Sequence, residues 1–396
     1  MNPLADPVPK LSVVATSRND GHGGDLIERM QWFVDGLAYQ SEEHNVDVEL
    51  ILVEWNPPPT RPALADVLAW PAPGARLRTR IVTVPGSIHA RFKGGDKFPL
   101  FQMIAKNVGI RRAVGDNVLA TNIDILFSDR LFRTMTGPVQ RGVLYRADRH
   151  DVDFPLHSAM TVPDALLFCA AHPLRYMRRD GAYYPGRGRV MPNYKGLADF
   201  VGFQGRRLAR RLATGNAATE SARSGRLGRP ASWNGHDLAL WTRDKIDAVI
   251  SLERLPHLHT NACGDFTLLA RQDWEELRGY PEWPMFSWNL DSILLYQAAA
   301  AGMTEVDLDE ARPLYHMEHD RGSGWTPEGR GDLFGRLDRG GVEYLTDRGL
   351  RLEALKVRRA VARGGAAVLN PRSWGLEDAQ LPDTLVSGPR VDRAGA

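Results

Sequence analysis

Asn122 and Asp124 stand two residues apart, directly after the apolar run Val118-Leu119-Ala120. Residues two apart in an extended segment point the same way. An amide and a carboxylate oxygen on one side could hold a divalent cation. Mg²⁺ and Mn²⁺ both favour oxygen ligands and accept substrate phosphates among them. The local alternative is that the pair only caps a turn and the helix expected at Asp129, where Asn and Asp are common. Further on, YRADRHDVD crowds Arg146, Asp148, Arg149, His150, Asp151 and Asp153 together, which reads either as a polar pocket or as a surface salt-bridge network. His150 and His157 lie seven apart with no helix to join them, so they are not read as a metal pair.

Such side chains need elements to place them. Lys106 to Ala113 has helical character, Gly115-Asp116-Asn117 is a turn signal, and Val118-Leu119-Ala120 has the form of a buried parallel strand. Upstream, Leu11–Ala15, Val48–Val53 and Arg80–Val84 read as strands, and a helix starts near Asp25 with Leu26, Ile27, Met30, Phe33, Val34 and Leu37 on its apolar face. Strand, polar end, helix, strand is the pattern of a parallel sheet with crossover helices. The polar ends Thr16–Asp20, Glu54–Asn56 and Asn122–Asp124 would then share one sheet edge, where open α/β sheets bind their ligands.

The chain has 396 residues, 43% of them hydrophobic, which is enough to bury a sizeable core in two or three packed units. A net charge of +2 gives no sign of a polyanion binder, and nucleic acid is not expected as a partner. Two distant cysteines, Cys169 and Cys263, fit a reduced, cytoplasmic setting. The opening residues MNPLADPVPKLSVV do not have the form of a signal peptide, and no apolar run approaches the about 20 residues of a membrane span.

Three pieces of this order, VVATSRND, ILVEWN and KNVGIRRAVGDNVLATNID, resemble the GT-A glycosyltransferases, most closely the family-2-like branch. Lys106, Asn107, Gly109, Ala113, Gly115 and Asp116 fall at the family's R/K-N-x-G-x-x-x-A-x-G-D spacing. Asn122 stands where the family has the first aspartate of D-x-D. The resemblance covers about residues 11 to 325 and continues in NACGDFTLLARQDWEELRGYPEWPMFSWNLDSILLYQAAAAG. There the family's G-[YF]-x-E and W-x-x-D-x-x-[LF] elements recur, with Leu290 in place of a second acid.

The resemblance implies an α/β GT-A fold with a Rossmann-like nucleotide-binding sheet, an acceptor-binding half and a C-terminal helical extension. The divisions fall at 1–160, 161–325 and 326–396. It implies that Thr16, Ser17, Arg18, Asp20 and Glu54 hold the nucleoside, with Lys106 near the phosphates. Asn122, Ile123 and Asp124 would face the donor, and Asn122, Asp124 and His316 would gather Mn²⁺ or Mg²⁺, with His319 as an alternative ligand. Asp265 and Asp291 would face the donor sugar and the acceptor. Asp291 is the implied base, since an acceptor hydroxyl must lose its proton as it attacks. Asp291 could instead only stabilise its helix N-terminus. Glu318, Arg321 and Ser323, with Gly322 and Gly324, read as a flexible lid. The implied partners are a UDP- or GDP-linked sugar and a hydroxyl acceptor.

The basic segment 175–235 reads as a lid over an anionic acceptor, a contact to a lipid surface or nucleic acid, or a solvated insertion, with nucleic acid disfavoured because stacking aromatics are scarce after Tyr194. The charged helices after Thr326 would pack back on the body or form a homo-oligomer contact. Two rivals stay open. A nucleotidyltransferase would need a Gly-rich phosphate loop, and TSRNDGHGG lacks the P-loop lysine spacing. A binding module of the same fold would bind nucleotide without turnover.

Overall fold

The computed structural model describes residues 8–157, 159–213, 254–319 and 330–388. Its first sheet grows from the most apolar runs. β1 (Leu11–Ser17), β2 (Val48–Trp55) and β3 (Leu77–Val84) pair in parallel, and β4 (Asn117–Ala120) joins the other side of β1. β1, β2 and β4 are buried at every position, as parallel strands covered on both faces must be. The helix Leu26–Glu43 covers one face with Met30, Phe33, Val34 and Leu37, a helical stripe. The helix Gln102–Arg112 covers the other with Ile104, Ala105 and Val108 against Val14, Ile51 and Val53.

After β4 the chain leaves this sheet. β5 (Ile125–Phe127) follows Asp124 at once and opens a second sheet, and Ser128 then caps the helix Asp129–Thr136 by accepting from Leu131 N. β6 (Val143–Arg146) returns to the first sheet, and β7 (Arg149–Val152) leaves it again. β8 (Pro173–Arg178), β9 (Gly181–Tyr184) and β10 (Gly188–Pro192) extend the second sheet by antiparallel pairing. β11 (Thr267–Ala270) lies antiparallel between β4 and β6, β12 (Thr304–Asp307) runs parallel to β6, and β13 (Leu314–Met317) lies between β5 and β7. β14 (Asp383–Val386) closes the edge of β3. The orders are β12-β6-β11-β4-β1-β2-β3-β14 and β10-β9-β8-β7-β13-β5. This mixed α/β arrangement is the class expected, and it is consistent with a GT-A-like fold.

Three features differ from the sequence reading or extend it. β2 runs on to Trp55, so Glu54 lies within the strand rather than after it, and β3 starts at Leu77, ahead of the expected Arg80. The C-terminal tail is built into the body. Trp374 is 3% exposed under the Arg111 guanidinium, and Arg80 holds β14 through Asp383 while also reaching Glu49 at 2.7 Å. An open sheet edge is thereby covered. The basic segment is built as β8, β9, β10 and the helix Leu197–Ala213, while residues 214–235 lie outside the described residues. Its Arg175, Arg178 and Arg189 pair with Asp151 and Glu318, with Glu310, and with Asp199. Among the described residues, no helix is long and apolar enough to cross a membrane.

Gly109 is the tightest point between helix and sheet. A Cβ there would lie 2.5 Å from Val14 Cγ1 and 3.1 Å from Val53 Cγ2, so the helix Gln102–Arg112 sits where only glycine permits. We expect Gly109→Ala to lower the unfolding free energy by about 1–3 kcal/mol, the usual cost of overpacking. Denaturant melts test this; wild-type stability would mean that the helix can slide outward at no cost.

Candidate active site

The site lies where the chain crosses between sheets, at Thr121-Asn122-Ile123-Asp124 and at Ala147-Asp148. The ends of β1 and β2 flank it. Several of their side chains are used to fix the strand ends. Thr16 Oγ1 donates to Val53 O at 2.9 Å, Ser17 Oγ meets Met30 Sδ at 3.4 Å, and Glu54 Oε1 accepts from Leu64 N at 2.9 Å. Burial raises the Glu54 carboxyl above its ordinary pKa, and the Leu64 amide opposes that rise. Arg18 and Asp20 continue into the loop, with Arg18 Nε 3.6 Å from Asp20 Oδ2. Arg29, buried on the first helix, donates to the carbonyls of His22 and Gly24 and so grips this loop. Gly23 has a left-handed φ of +72°, and a Cβ there would meet His319 Nδ1 at 2.7 Å. The loop is thus seated on His319.

Asp124, His316 and His319 converge, with one ligand atom from each within 4.8 Å of the others. His319 Nε2 lies 3.2 Å and His316 Nε2 3.6 Å from Asp124 Oδ2. On its other side, His316 Nδ1 lies 3.0 Å from Asp151 Oδ1. Asp124 Oδ1 and His319 Nδ1 are buried with no hydrogen-bond partner among the described residues. Two imidazoles, a carboxylate and two unpaired buried polar atoms suit a divalent transition metal, so the residues fit such an ion.

Without an ion, protons hold this group together. Burial and Arg149 push the His316 pKa down, but Asp124 and Asp151 outweigh them and raise it to about 10. Burial would raise Asp124, yet the two histidines hold it well below the ordinary carboxylate range.

A second set of contacts ties the remaining expected residues to the first. Lys106 Nζ is buried and donates to Asn122 Oδ1 at 2.8 Å and to Gly264 O at 2.7 Å. Burial lowers its pKa to about 8 against the opposing pull of Asp265, Asp291 and Asp124. Asn122 Oδ1 also accepts from Gln102 at 2.8 Å, and Asn122 Nδ2 donates to Asp265. The Asn122 oxygen therefore faces two donors rather than the Asp124 triad. Asp265 Oδ2 accepts from Arg149 Nη1 at 2.6 Å. Ile123 turns its side chain into the apolar core.

Asp291 opens the helix Leu290–Ala300 and accepts from its own neighbour, Ser292 N, at 2.8 Å. Its Oδ2 stands 3.0 Å from the point where a Cβ on Gly264 would be. Glycine at 264 permits this close approach of the backbone to the carboxylate. Burial raises the Asp291 pKa, as a general base requires.

Sequence reasoning left the YRADRHDVD stretch undecided, and burial decides it. Arg146 and Asp151 are fully buried, and Asp148 nearly so. Arg149, Asp151, Arg175 and Glu318 form a continuous ion network behind His316. The available signal was the alternation of Arg149 and Asp151 along one strand face; the register that sets Asp151 beside His316 could not be read. Asp148, His259 and Asp307 also lie close together, but His259 uses both nitrogens, accepting from Arg146 Nη2 at 3.4 Å and donating to Asp148 Oδ1 at 3.1 Å. The expected lid residues Arg321, Gly322, Ser323 and Gly324 lie outside the described residues.

No protein-family model matches this chain, and no curated protein matches it in sequence. Solved structures do match, among them the crystal structure of GalNAc-T7 with UDP, GalNAc and Mn2+. That likeness covers 94% of this chain and 57% of the other at 9% identity, with a TM-score of 0.38. It carries nothing to the site.

His316 has a folded pKa of about 10 against an ordinary 6.5. In the metal-free protein its contribution to stability is complete below pH 6.5 and is lost as pH rises towards about 10. Lys106 works in the opposite sense above about pH 8, so the quantity to measure is the wild-type minus His316→Gln difference in unfolding free energy. We expect that difference to shrink steadily from pH 6.5 to 10. A constant difference would mean that His316 carries no extra proton at neutral pH.

Proposed function

We propose that this chain is a metal-dependent glycosyltransferase that moves a sugar from a nucleoside diphosphate sugar to a hydroxyl acceptor. The observation that carries this reading is the Asp124–His316–His319 group standing at the ends of β1 and β4, with Asp265 and Asp291 reached through Lys106 and Asn122. Residues 1–160 would form the nucleotide-sugar half, 161–325 the acceptor half and 326–396 the extension. Arg18 and Asp20, in the loop gripped by Arg29, would meet the nucleoside.

Asp124, His316 and His319 would hold the ion, which when bound supplies positive charge to the departing diphosphate. Two imidazoles beside one carboxylate favour Mn²⁺ over Mg²⁺, because Mg²⁺ prefers oxygen ligands throughout. The chain's own residues do the rest. Arg149 holds Asp265 facing the donor sugar. Asp291, its pKa raised by burial, takes the acceptor proton onto its carboxylate as the hydroxyl attacks the anomeric carbon. That role belongs to an inverting reaction.

A binding module without turnover is favoured by one observation: Asn122 and Lys106 are engaged with each other. It would bind nucleotide and leave the donor intact.

The test is a donor screen with UDP-, GDP-, CMP- and dTDP-linked sugars, each with Mn²⁺, Mg²⁺ or chelator. Nucleoside diphosphate release is the readout. We expect release from one nucleotide class, with Mn²⁺ more effective than Mg²⁺ and chelator abolishing it. Nucleotide binding without release would favour the binding module; pyrophosphate from a nucleoside triphosphate would favour a nucleotidyltransferase. Given an active donor, Asp291→Asn should lower kcat by about 10²–10⁴-fold with donor KM little changed. A variant that turns over at the wild-type rate would remove Asp291 as the base.

A further inference from the structure

His316 stands between two carboxylates that differ in what remains open to them. Asp124 keeps one buried oxygen, Oδ1, without a partner among the described residues. Asp151 is fully buried, and both its oxygens are taken. Oδ1 receives His316 Nδ1 at 3.0 Å and stands 2.8 Å from Arg149 Nε in an ion pair, and Oδ2 receives Arg175 Nε at 2.5 Å and Arg149 Nη2 at 3.3 Å. A carboxylate enclosed by two guanidiniums and an imidazole has nothing left to offer a cation.

The backbone sets this asymmetry. β7 and β13 run parallel with Asp151 opposite His316, and Arg149 lies two residues before Asp151 on the same strand face. The ring nitrogen nearest Asp151 is thereby fixed, and the other is directed at Asp124.

We propose that Asp151 is a positioning residue for ion capture: it holds the His316 Nδ1 proton so that Nε2 is the ligand atom, and Arg149 ties that carboxylate to Asp265. Second carboxylates of this kind orient ligating histidines in metal sites generally. Through Arg149, which bonds Asp151 and Asp265 together, the placement of the ion ligand and of the donor-facing carboxylate are one arrangement. The inference rests on the ion-binding part of the reading above and not on turnover.

The test uses the full chain with Mn²⁺ alone, titrated by electron paramagnetic resonance in wild type and in Asp151→Asn. The variant should bind Mn²⁺ about 10–100-fold more weakly. Arg149 and Arg175 lose a carboxylate in that variant, so a second measurement on the wild type guards against misfolding. In ¹⁵N-labelled protein loaded with Zn²⁺, His316 should keep its proton on Nδ1 and bind through Nε2. A folded Asp151→Asn with wild-type affinity would overturn the proposal. A wild-type His316 protonated on Nε2 would do the same, as would a wild type that takes up neither ion. Normal ion capture with no donor breakdown would leave this role standing and remove the transferase.

Discussion

Burying a carboxylate is the constraint around which this molecule is arranged. Asp124 and Asp151 lie at the junction of two sheets, where an unpaired charge would be far too costly to keep. Each is met by cationic groups that come from distant parts of the chain. Asp151 takes Arg149 from its own strand, Arg175 from β8 and His316 from β13. Asp124 takes His316 and His319, both more than 190 residues away by sequence. β5, β7, β8 and β13 form one sheet in an order that brings these groups together. The second sheet can be understood as the scaffold of that charge balance, and the first as the platform presenting the loop ends to it.

The most specific motif in the sequence proves largely architectural. In KNVG, Asn107 reaches the loop Gly279–Glu282: its amide donates to Tyr280 O at 2.8 Å and its oxygen accepts from Tyr280 N at 2.8 Å. Asn370 from the tail donates to Tyr280 O as well, and Glu282 accepts from Gly375 N at 2.7 Å. One asparagine thus joins the helix covering the first sheet to the loop Gly279–Glu282, on which the C-terminal tail also rests. Gly279, with φ +69°, has no Cβ because Asn107 Oδ1 lies 2.2 Å from where it would be. Gly115 is equally confined, with Ser12 N 2.7 Å from its absent Cβ. At Asn107, Gly115 and Gly279 of this chain the spacing serves places where backbones meet, a packing reason rather than a chemical one.

What was legible follows from locality. The strands β1, β2 and β4, the helices Leu26–Glu43 and Leu290–Ala300, and the polar strand ends could be read because periodicity and capping act over a few residues. The candidate ligands Asp124, His316 and His319 were legible as residue types beside expected strand ends. The rest depends on long-range pairing, which no local pattern encodes. Arg149 and Asp151 read equally as a polar pocket or a surface network, because the pairing of β13 with β7 that buries Asp151 beside His316 is not local. How the C-terminal part packs was left open because Trp374 and Asp383 find their partners, Arg111 and Arg80, hundreds of residues upstream.

Lys106 shows how this charge balance bears on chemistry. A lysine whose ammonium is sealed against Asn122 and Gly264 carries no water shell, and burial draws its pKa down to about 8. It stays charged near neutral pH because Asp265, Asp291 and Asp124 surround it. Removing that cation would push the Asp291 pKa further up. The lysine therefore sits as an internal counter-ion among Asp265, Asp291 and Asp124 in a space with little solvent. Positive charge there is already engaged: Lys106 donates to Asn122 Oδ1 and Gly264 O, and Arg149 and Arg175 pair with carboxylates. The uncommitted capacity lies at Asp124 and His319, whose unpaired atoms suit an ion. With Lys106, Arg149 and Arg175 engaged inside the protein, the open atoms of Asp124 and His319 are where a cation would add charge to the site.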